Sequence, residues 1–373
     1  MRTINHNATL TITLFFFSFI NIFPNLYAGP STILIKKPLV LNPRYDFLPN
    51  HTLPSYAIDY APLVYLHSEE IFWPSLYKTH LDHVQPEVNF KISPSFPASG
   101  LSTQIFLRSS NLINNVLDND LIYLTSKDSI FEAPMAQWIY GEGKPDESGK
   151  SAAPAIIIAM DKTQQVGSGW VDVFYIFFYS YNRGNYFYNN RFGDHVGDWE
   201  NTMIRFYNGT PMYIVPEAHG DTAALGSSAF MYNAVEQVGK RPVVYSANGT
   251  HGMYPQAGIQ NYTGLPVPVY DHTNKGPLWD LTLNFEAYFF SNEGGFSFTG
   301  DTPSSEQDPE KLGWLQFTGH WGDQQYPLSN PNQTCLASEC FYSSGPLGPQ
   351  SKSLGRGYIC GSSDCKPMSL LPS

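Results

Sequence analysis

The stretch GDHVGDWENTMIRF, residues 193–206, joins a strand-like apolar run to an unusual density of acidic and imidazole side chains. Soon after its apolar half comes an Asn-Gly pair, which is the typical sequence of a tight hairpin turn. Residues 212–218 (MYIVPEA) are again apolar and suit a returning strand. The pattern therefore predicts an antiparallel hairpin whose first strand covers residues 198–207.

Further strands are predicted where β-branched and aromatic residues cluster, at residues 156–159, 171–181 (VDVFYIFFYSY) and 242–247. The longest of these runs has no polar face, which is typical of a strand buried on both sides. Residues 74–83 have the rough spacing of a short helix that starts near Pro74. We therefore expect a mainly β fold, an antiparallel β-sandwich with irregular insertions and few short helices.

Composition limits the classes of protein and partner. The chain has 373 residues, of which 14% are charged and 15% are aromatic. This balance is typical of a packed, β-rich protein and argues against disorder. The formal net charge of −11 disfavours nucleic acid and anionic membranes as general electrostatic partners, but it is compatible with a local site that holds its own cation.

The first 28 residues are predicted to be a signal peptide, because the apolar run 10–23 precedes a small-residue cleavage point at Ala28. The run is short for a membrane span, so we expect no transmembrane helix after cleavage; an uncleaved anchor helix is the alternative. The remaining chain is predicted to be an extended, Pro-rich lead-in at 29–55 and a single β-rich domain at 56–373. The expected location is the secretory pathway, with the protein either secreted or vacuolar.

Two further features agree with an oxidising, glycosylating compartment. Sequons for N-glycosylation occur at Asn50, Asn208, Asn248, Asn261 and Asn332. The cysteines lie in the C-terminal segment from about residue 330, at Cys335, Cys340, Cys360 and Cys365. We expect two disulfides that staple this segment, and the sequence leaves all three pairings open.

The acidic cluster predicts a cation site. Successive side chains of a strand alternate between faces, so Asp198 and Glu200 share a face, and His195 can bend toward it from the preceding loop. Two neighbouring carboxylates repel each other, and burial increases the repulsion unless a cation neutralises them. Oxygen ligands favour calcium or magnesium, while the histidine is compatible with manganese or zinc.

Other candidates lie near predicted strand ends. His251 is the expected fourth metal ligand, since it follows the strand 242–247. A second tier of site candidates comprises Asp194, His219, Asp271 and His272. The aromatic residues expected to wall a ligand site are Tyr186, Tyr188, Trp199 and Tyr254. The competing interpretation is that Asp198 and Glu200 are salt-bridged to Arg183, Arg191 or Arg205 and that His195 is simply exposed.

Several blocks of the sequence resemble the vacuolar protein sorting-associated protein 62 family of fungi. They include YAPLVYLHSEEIFWPS (60–75), GDHVGDWENTMIRF, RPVVYSANGTHGMYP (241–255) and DHTNKGPLWD (271–280), and the matching blocks span most of the mature chain in order. The resemblance implies a part in delivering proteins to the vacuole. It does not supply a molecular mechanism.

The segment HVGDWE is similar to the Gly-His-Arg-His-Asp-Trp-Glu heptapeptide of the necrosis- and ethylene-inducing-like proteins. Those are secreted β-sandwich cytolysins that bind a divalent cation and a plant sphingolipid headgroup. This resemblance implies metal roles for His195, Asp198 and Glu200, and it makes His251 the counterpart of a further histidine. Gly197 stands where the heptapeptide has its second histidine, and Asp194 stands where it has glycine. These departures weaken the inference to toxin activity more than the inference to a cation.

The resulting prediction is a secretory-pathway protein of the vacuolar protein sorting-associated 62 type that binds a divalent cation and a polar headgroup or glycan. The alternative is a metal-dependent or carboxylate-based hydrolase acting on a glycan or lipid. A third interpretation is a sorting factor whose acidic cluster is only structural. No Gly-x-Ser-x-Gly or His-Glu-x-x-His motif is present, so the sequence leaves both enzymatic activity and oligomeric state open.

Overall fold

The predicted hairpin forms the centre of a seven-stranded sheet. The structure is a computed structural model that describes residues 52–92, 122–187, 189–219, 228–262, 269–336, 339–359 and 365–371. In spatial order the strands of this sheet are β11 (Phe230–Met231), β10 (Thr210–Glu217), β9 (His195–Tyr207), β6 (Trp170–Asn182), β5 (Ala155–Asp161), β18 (Phe285–Phe290) and β19 (Phe296–Phe298).

A second sheet covers one face of the first. In spatial order it contains β12 (Gln237–Val238), β13 (Arg241–Ser246), β1 (Leu63–Tyr65) and β17 (Leu278–Asp280), and β14 (Met253–Tyr254) pairs with β13. Most strand pairs in both sheets are antiparallel, as expected. Two pairs, β1 with β13 and β5 with β18, are parallel, because long intervening segments let the chain cross over between them.

Short elements surround the two sheets. The small sheets are formed by β2 (Val84–Val88), β3 (Lys91–Ile92) and β4 (Tyr123–Ser126); by β7 (Asn185–Phe187) and β8 (Asn190–Phe192); by β15 (Gly258–Asn261) and β16 (Tyr270–Thr273); and by β20 (Cys335–Leu336) and β21 (Glu339–Cys340). The α-helices are α1 (Ser55–Asp59) and α2 (Tyr77–His83), and 3₁₀ turns occur at Gln137–Tyr140, Tyr232–Ala234, Leu281–Leu283, Pro309–Gln316 and Pro349–Ser351. The predicted short helix is therefore α2, which begins three residues after Pro74.

The core has two layers because β6 is buried on both faces. One face of the large sheet contributes Phe177 and Ile204 to a layer shared with Val64 and Trp279 of the second sheet. The opposite face contributes residues such as Phe174 to a layer completed by α2 and the 3₁₀ turn at Pro309–Gln316. The prediction of a mainly β sandwich with irregular insertions is thus confirmed.

Several predicted features fall on the sequence ends. The signal peptide, most of the lead-in and Asn50 lie outside the described residues. Among those described, no helix is long and apolar enough to cross a bilayer. Cys335 and Cys340 form a disulfide, and Cys365 is disulfide-bonded as well, while Cys360 lies outside the described residues.

The sequons differ in their surroundings, and glycosylation stays a prediction at each. Asn208, Asn261 and Asn332 are exposed. Asn248 is half-buried, and its side-chain oxygen accepts a hydrogen bond from Arg183 at 2.7 Å. A glycan at Asn248 would therefore require that contact to break.

Candidate functional site

A cavity of about 540 Å³ opens at the point where β6 ends and β9 begins. Asp198 and Glu200 of β9 border it together with His195, as their shared strand face predicts. Asn182, His219 and Thr250 contribute polar groups from neighbouring segments. The apolar part of the wall is formed by Phe187, Phe192, Tyr262, Val269 and Leu336.

The disulfide-linked hairpin forms one wall of this cavity. Leu336 in β20 and Glu339 in β21 both border the cavity, on either side of the bond between Cys335 and Cys340. The hairpin is fixed to the chain just before β9, since the Gly193 N–H donates to the Cys340 carbonyl at 2.8 Å. The C-terminal staple predicted from the cysteines therefore helps to shape the site.

Glu200 is the least compensated acid of the cavity. Burial and then the negative charge of Asp198 raise the pKa of Glu200 to about 8, against the opposing effect of Lys352, His219 and His251. Its carboxylate accepts no hydrogen bond from any residue that the structure describes. An acid in this state gains stability from any cation that enters the cavity.

His195 presents one ring nitrogen that is suited to a ligand role. Its Nδ1 lies 2.7 Å from the Gly197 carbonyl oxygen and donates to it, which leaves Nε2 with the lone pair. Burial is the main cause of a lowered pKa, so the ring is neutral at physiological pH. A neutral imidazole held through its other nitrogen is the usual form of a metal-binding histidine.

Gly197 is required by the packing of this turn. Its φ is +67°, and a Cβ at this position would lie 1.9 Å from the Trp321 carbonyl oxygen. The second histidine of the similar heptapeptide therefore has no room here. The departure noted in the sequence has a steric cause.

Asp198 is held from behind by a buried histidine. Its Oδ2 lies 2.8 Å from Nδ1 of His251, whose Nε2 contacts the Phe72 carbonyl at 3.1 Å and Glu70 at 3.5 Å. Burial lowers the pKa of His251, but the carboxylates of Glu70 and Asp198 outweigh this effect and raise it to about 9. The ring also stacks on Tyr179, with centroids 3.7 Å apart.

The metal-ligand role of His251 stays a prediction, and the structure places its ring on the core side of Asp198. Both of its ring nitrogens are used by the protein, and the side chain is fully buried. The sequence placed it correctly beside Asp198, but it supports that carboxylate from the core side.

A second histidine–aspartate pair borders the cavity at His219. Its Nε2 lies 2.8 Å from Asp271, and burial is outweighed by this carboxylate, which raises the pKa of His219 to about 9. Asp271 is fully buried, and the donors around it overcome burial and lower its pKa to about 2. Its hydrogen-bond partners are His219, Asn185, Thr250, Tyr254 and Tyr262.

The remaining acid of the opening motif has a structural role. Asp194 is buried and bonds Arg191, the Tyr181 hydroxyl at 2.8 Å and the Gly184 N–H at 2.9 Å. Arg191 therefore pairs with Asp194, an acid for which the sequence predicted no arginine partner. Glu200, in contrast, has no such partner among the described residues.

The other predicted arginine partners are engaged elsewhere. Arg205 pairs with Asp172, and Arg183 donates to Asn248.

Three of the four predicted aromatic wall residues do not border the cavity, and the fourth is undescribed. Trp199 faces the opposite core layer against Trp314 and Trp321, because neighbouring strand residues alternate. Tyr254 is buried behind the cavity on Asp271, and Tyr186 is exposed outside it. Tyr188 lies outside the described residues.

His272 lies apart from the acidic cluster. Its ring contacts that of His67, with His67 Nε2 and His272 Nδ1 3.2 Å apart. No sequence signal connected His67 or Glu70 with the site, since both lie in a loop more than a hundred residues before β9.

The residues at the cavity could hold a cation, although their side chains are not arranged as a complete metal site. Among the described residues, no three His, Cys, Asp or Glu side chains are arranged as a ready metal cluster. His195 Nε2, Asp198 Oδ1 and the Glu200 carboxylate nevertheless belong to residues that border one cavity and have no hydrogen bond at those atoms within the described chain. Their chemistry suits a hard divalent cation that also takes ligands from solvent or a bound molecule.

Comparison with known proteins identifies the family. The family model described as vacuolar protein sorting-associated protein 62 matches residues 166–326, which include β9 and most of the residues that line the cavity. "Putative vacuolar protein sorting-associated protein TDA6" of Saccharomyces cerevisiae is 36% identical over 341 residues, covering 83% of this chain and 68% of its own. The chain belongs to this family. "Vacuolar protein sorting-associated protein 62" of the same yeast is 33% identical over 331 residues, with the same coverage.

Solved structures show only remote likeness to this member of the family. A structure described as "Toxin fold for microbial attack and plant defense" has a TM-score of 0.25 and 11% identity, covering 60% of this chain and 68% of that one. "NLPPya in complex with glucosamine" has a TM-score of 0.24 and 9% identity, with 64% and 73% covered. Likeness at this level carries no argument about the site.

Proposed function

We propose that this chain serves a role related to vacuolar protein sorting by binding a divalent cation in the β9 cavity, and through it a polar headgroup or glycan. Family membership supports the sorting role and a vacuole-related location. Entry into the secretory pathway, by way of the predicted signal peptide, is part of the proposal. The cation is held by Glu200, Asp198 and His195.

The observation that carries the proposal is the state of Glu200. Its carboxylate borders the cavity beside a second carboxylate, and its pKa is raised to about 8 by burial and by Asp198. Folding a protein around such a group costs stability unless a cation is bound there. Structural acids elsewhere in the molecule, such as Asp194, are instead given donors.

The expected cation is calcium or magnesium. The candidate ligands include two carboxylates, and oxygen donors favour these hard ions. His195 Nε2 makes manganese or zinc acceptable as well. With few protein ligands available, coordination positions stay open for the oxygen atoms of a bound molecule.

The walls of the cavity suit a sugar-like or headgroup ligand. Phe187, Phe192 and Tyr262 supply aromatic surface, and Asn182 and Thr250 supply hydrogen-bonding groups. Apolar walls with a few placed polar groups are the usual composition of small-molecule sites. Hydroxyl groups of the ligand would complete the coordination of the cation.

The direct test is calorimetric titration of chelator-treated protein with calcium and with magnesium. Glu200→Gln should weaken binding by roughly 10–100-fold or more, since a charged ligand is lost. Glu69→Gln is the matched control, because Glu69 is exposed and lies outside the cavity. Equal affinities in Glu200→Gln and wild type would refute the site.

A variant of Glu200 alone is preferable to a double variant with Asp198, because Asp198 also holds the buried His251. A glycan and lipid array, probed with the calcium-loaded protein, then identifies the ligand class. Time-dependent release of a product from a bound array component would instead support the hydrolase alternative.

A further inference from the structure

The loop behind the candidate site is closed by two histidines. His67 is buried, with 1% of its surface exposed, and His272 is an exposed residue of β16. Their rings meet at a centroid distance of 4.8 Å, and His67 Nε2 lies 3.2 Å from His272 Nδ1. We call this pair the histidine clasp.

The hydrogen-bond roles in the clasp are fixed by a backbone donor. The Glu69 N–H donates to His67 Nδ1 at 3.1 Å, so the proton of the neutral His67 ring is on Nε2. That proton is then donated to His272 Nδ1. The Asn274 amide nitrogen lies 3.0 Å from His67 Nε2, so it contacts this N–H without forming a hydrogen bond to it.

The His67 ring cannot take a second proton without losing a hydrogen bond. A proton on His67 Nδ1 would face the Glu69 N–H. The charged groups around His67 do not remove this conflict. Burial, His272 and Arg183 lower its pKa, and together they outweigh Glu69 and Glu70, which raise it.

The clasp is connected to Asp198 by two routes. The loop that contains His67 continues to Glu70 and Phe72, and both contact Nε2 of His251. On the other side, the His272 carbonyl accepts from the Asn248 N–H at 2.9 Å, which fixes the turn just before His251. Opening the clasp would therefore loosen both supports of the histidine that holds Asp198.

We propose that the histidine clasp is a pH-sensitive device that opens in acid, loosens the loop at residues 67–72 and weakens ligand binding at the cavity. Only the last step rests on the proposed function. The sign follows from the lowered pKa of His67. The unfolded or opened segment binds protons from about pH 6.5 downward, so the closed clasp is fully stable above that pH and loses stability as the pH falls.

Hydrogen exchange measured by mass spectrometry tests the clasp without any ligand. Between about pH 7.5 and about pH 5.5, after correction for intrinsic exchange rates, peptides covering residues 66–72 and 247–252 should lose protection about tenfold or more. A peptide from β5 in the core is the internal reference and should not change. Equal changes in the loop and the β5 peptide, or no change in the loop, would overturn the proposal.

Substitution of the exposed histidine tests the mechanism. His272→Asn keeps an acceptor for His67 but removes one of the groups that lower the pKa of His67, so the acid-induced loss of protection should become smaller. His83→Asn is the matched control, since His83 is also partly exposed but stacks on Trp138 instead. Identical transitions in all three proteins would contradict the clasp.

Calcium titration at the same two pH values separates this inference from the proposed function. Carboxylate protonation weakens calcium binding in every variant, so the informative quantity is the difference between wild type and His272→Asn. A larger acid-induced loss in wild type supports regulation by the clasp, and equal losses would refute it. If calcium binds at neither pH, the proposed function fails while hydrogen exchange still decides whether the clasp opens.

Discussion

The two ends of the β6–β9 strand pair both bury carboxylates, but they compensate them differently. At one end Asp172 lies opposite Arg205 and receives two hydrogen bonds from its guanidinium, at 2.6 and 2.8 Å. Lys162 adds a second cation 3.4 Å from the same carboxylate. At the other end Asp198 is paired with His251, while Glu200 accepts no hydrogen bond from any described residue.

The difference separates an end built for stability from an end built for binding. The Asp172 cluster also holds the C-terminal segment, since Arg205 donates to the Gly357 carbonyl and Lys162 to the Leu354 carbonyl. Each charged group of this cluster therefore has a partner within the protein. The Glu200 end keeps a carboxyl group beside a cavity with no donor among the described residues, so ionising that group costs stability, as is expected at a functional site.

Removing the guanidinium of Arg205, which pairs with Asp172, should have the largest effect on the free energy of unfolding. Arg205→Met leaves Asp172 fully buried with only Lys162 to compensate it, and breaking such a pair typically costs about 3–5 kcal/mol of unfolding free energy. Urea unfolding measures the loss. The double variant Asp172→Asn with Arg205→Met should recover part of it, since no uncompensated carboxylate remains. A decrease in unfolding free energy below about 1 kcal/mol would show that the ion pair of Asp172 with Arg205 does not stabilise the fold.

The histidine that supports Asp198 should be next in effect. His251→Ala removes a stacked, fully buried ring and leaves Asp198 without its donor, so we expect a loss of about 2–4 kcal/mol in urea unfolding. His251 has φ of +55°, a conformation that asparagine tolerates better than alanine. His251→Asn should therefore cost less than His251→Ala. The reverse order would argue against the hydrogen bond to Asp198.

Local periodicity was enough to predict the strands on which both ends are built. The alternation in residues 193–206 gives the shared face of Asp198 and Glu200, and the unbroken apolar run gives a β6 that is buried on both sides. The same alternation should have excluded Trp199 from the cavity wall, because it stands between the two acids. That error was avoidable from sequence.

The partners of these residues could not be predicted in the same way. Which donor reaches Asp198 or Asp271 depends on how loops from distant parts of the chain cross at the end of the sheet. Glu70, for example, is 179 residues from Gly249, whose N–H donates to it at 2.7 Å. A single sequence contains the candidates for such contacts but no signal that pairs them.

Removing the carboxylate of Glu200, at the other end of the strand pair, should instead stabilise the protein. Glu200→Gln deletes a poorly compensated carboxylate, so chelator-treated protein at about pH 8 should melt roughly 2 °C higher than wild type. The pKa of Glu200 is raised from 4.5 to about 8 in the fold, so the folded state binds the extra proton. The wild-type unfolding free energy therefore falls as the pH rises through this range, and the variant should lack that contribution.

Calcium provides the control for this variant. Added calcium should raise the melting temperature of wild type at about pH 8, by binding the folded state, and should leave Glu200→Gln nearly unchanged. A variant that is less stable than wild type in chelator would mean that Glu200 has a partner within the protein.

An exposed ion pair sets the lower limit of the comparison. Asp59 and Lys240 lie 2.9 Å apart with side chains 50% and 55% exposed, so water already compensates both charges. Asp59→Asn should change the free energy of unfolding in urea by less than about 0.5 kcal/mol, and added salt should reduce even that difference. If Asp59→Asn were to lower the free energy of unfolding as much as Arg205→Met, loss of any charged group would destabilise the protein equally. Burial of the charges would then not explain the contrast between the two ends of β6–β9.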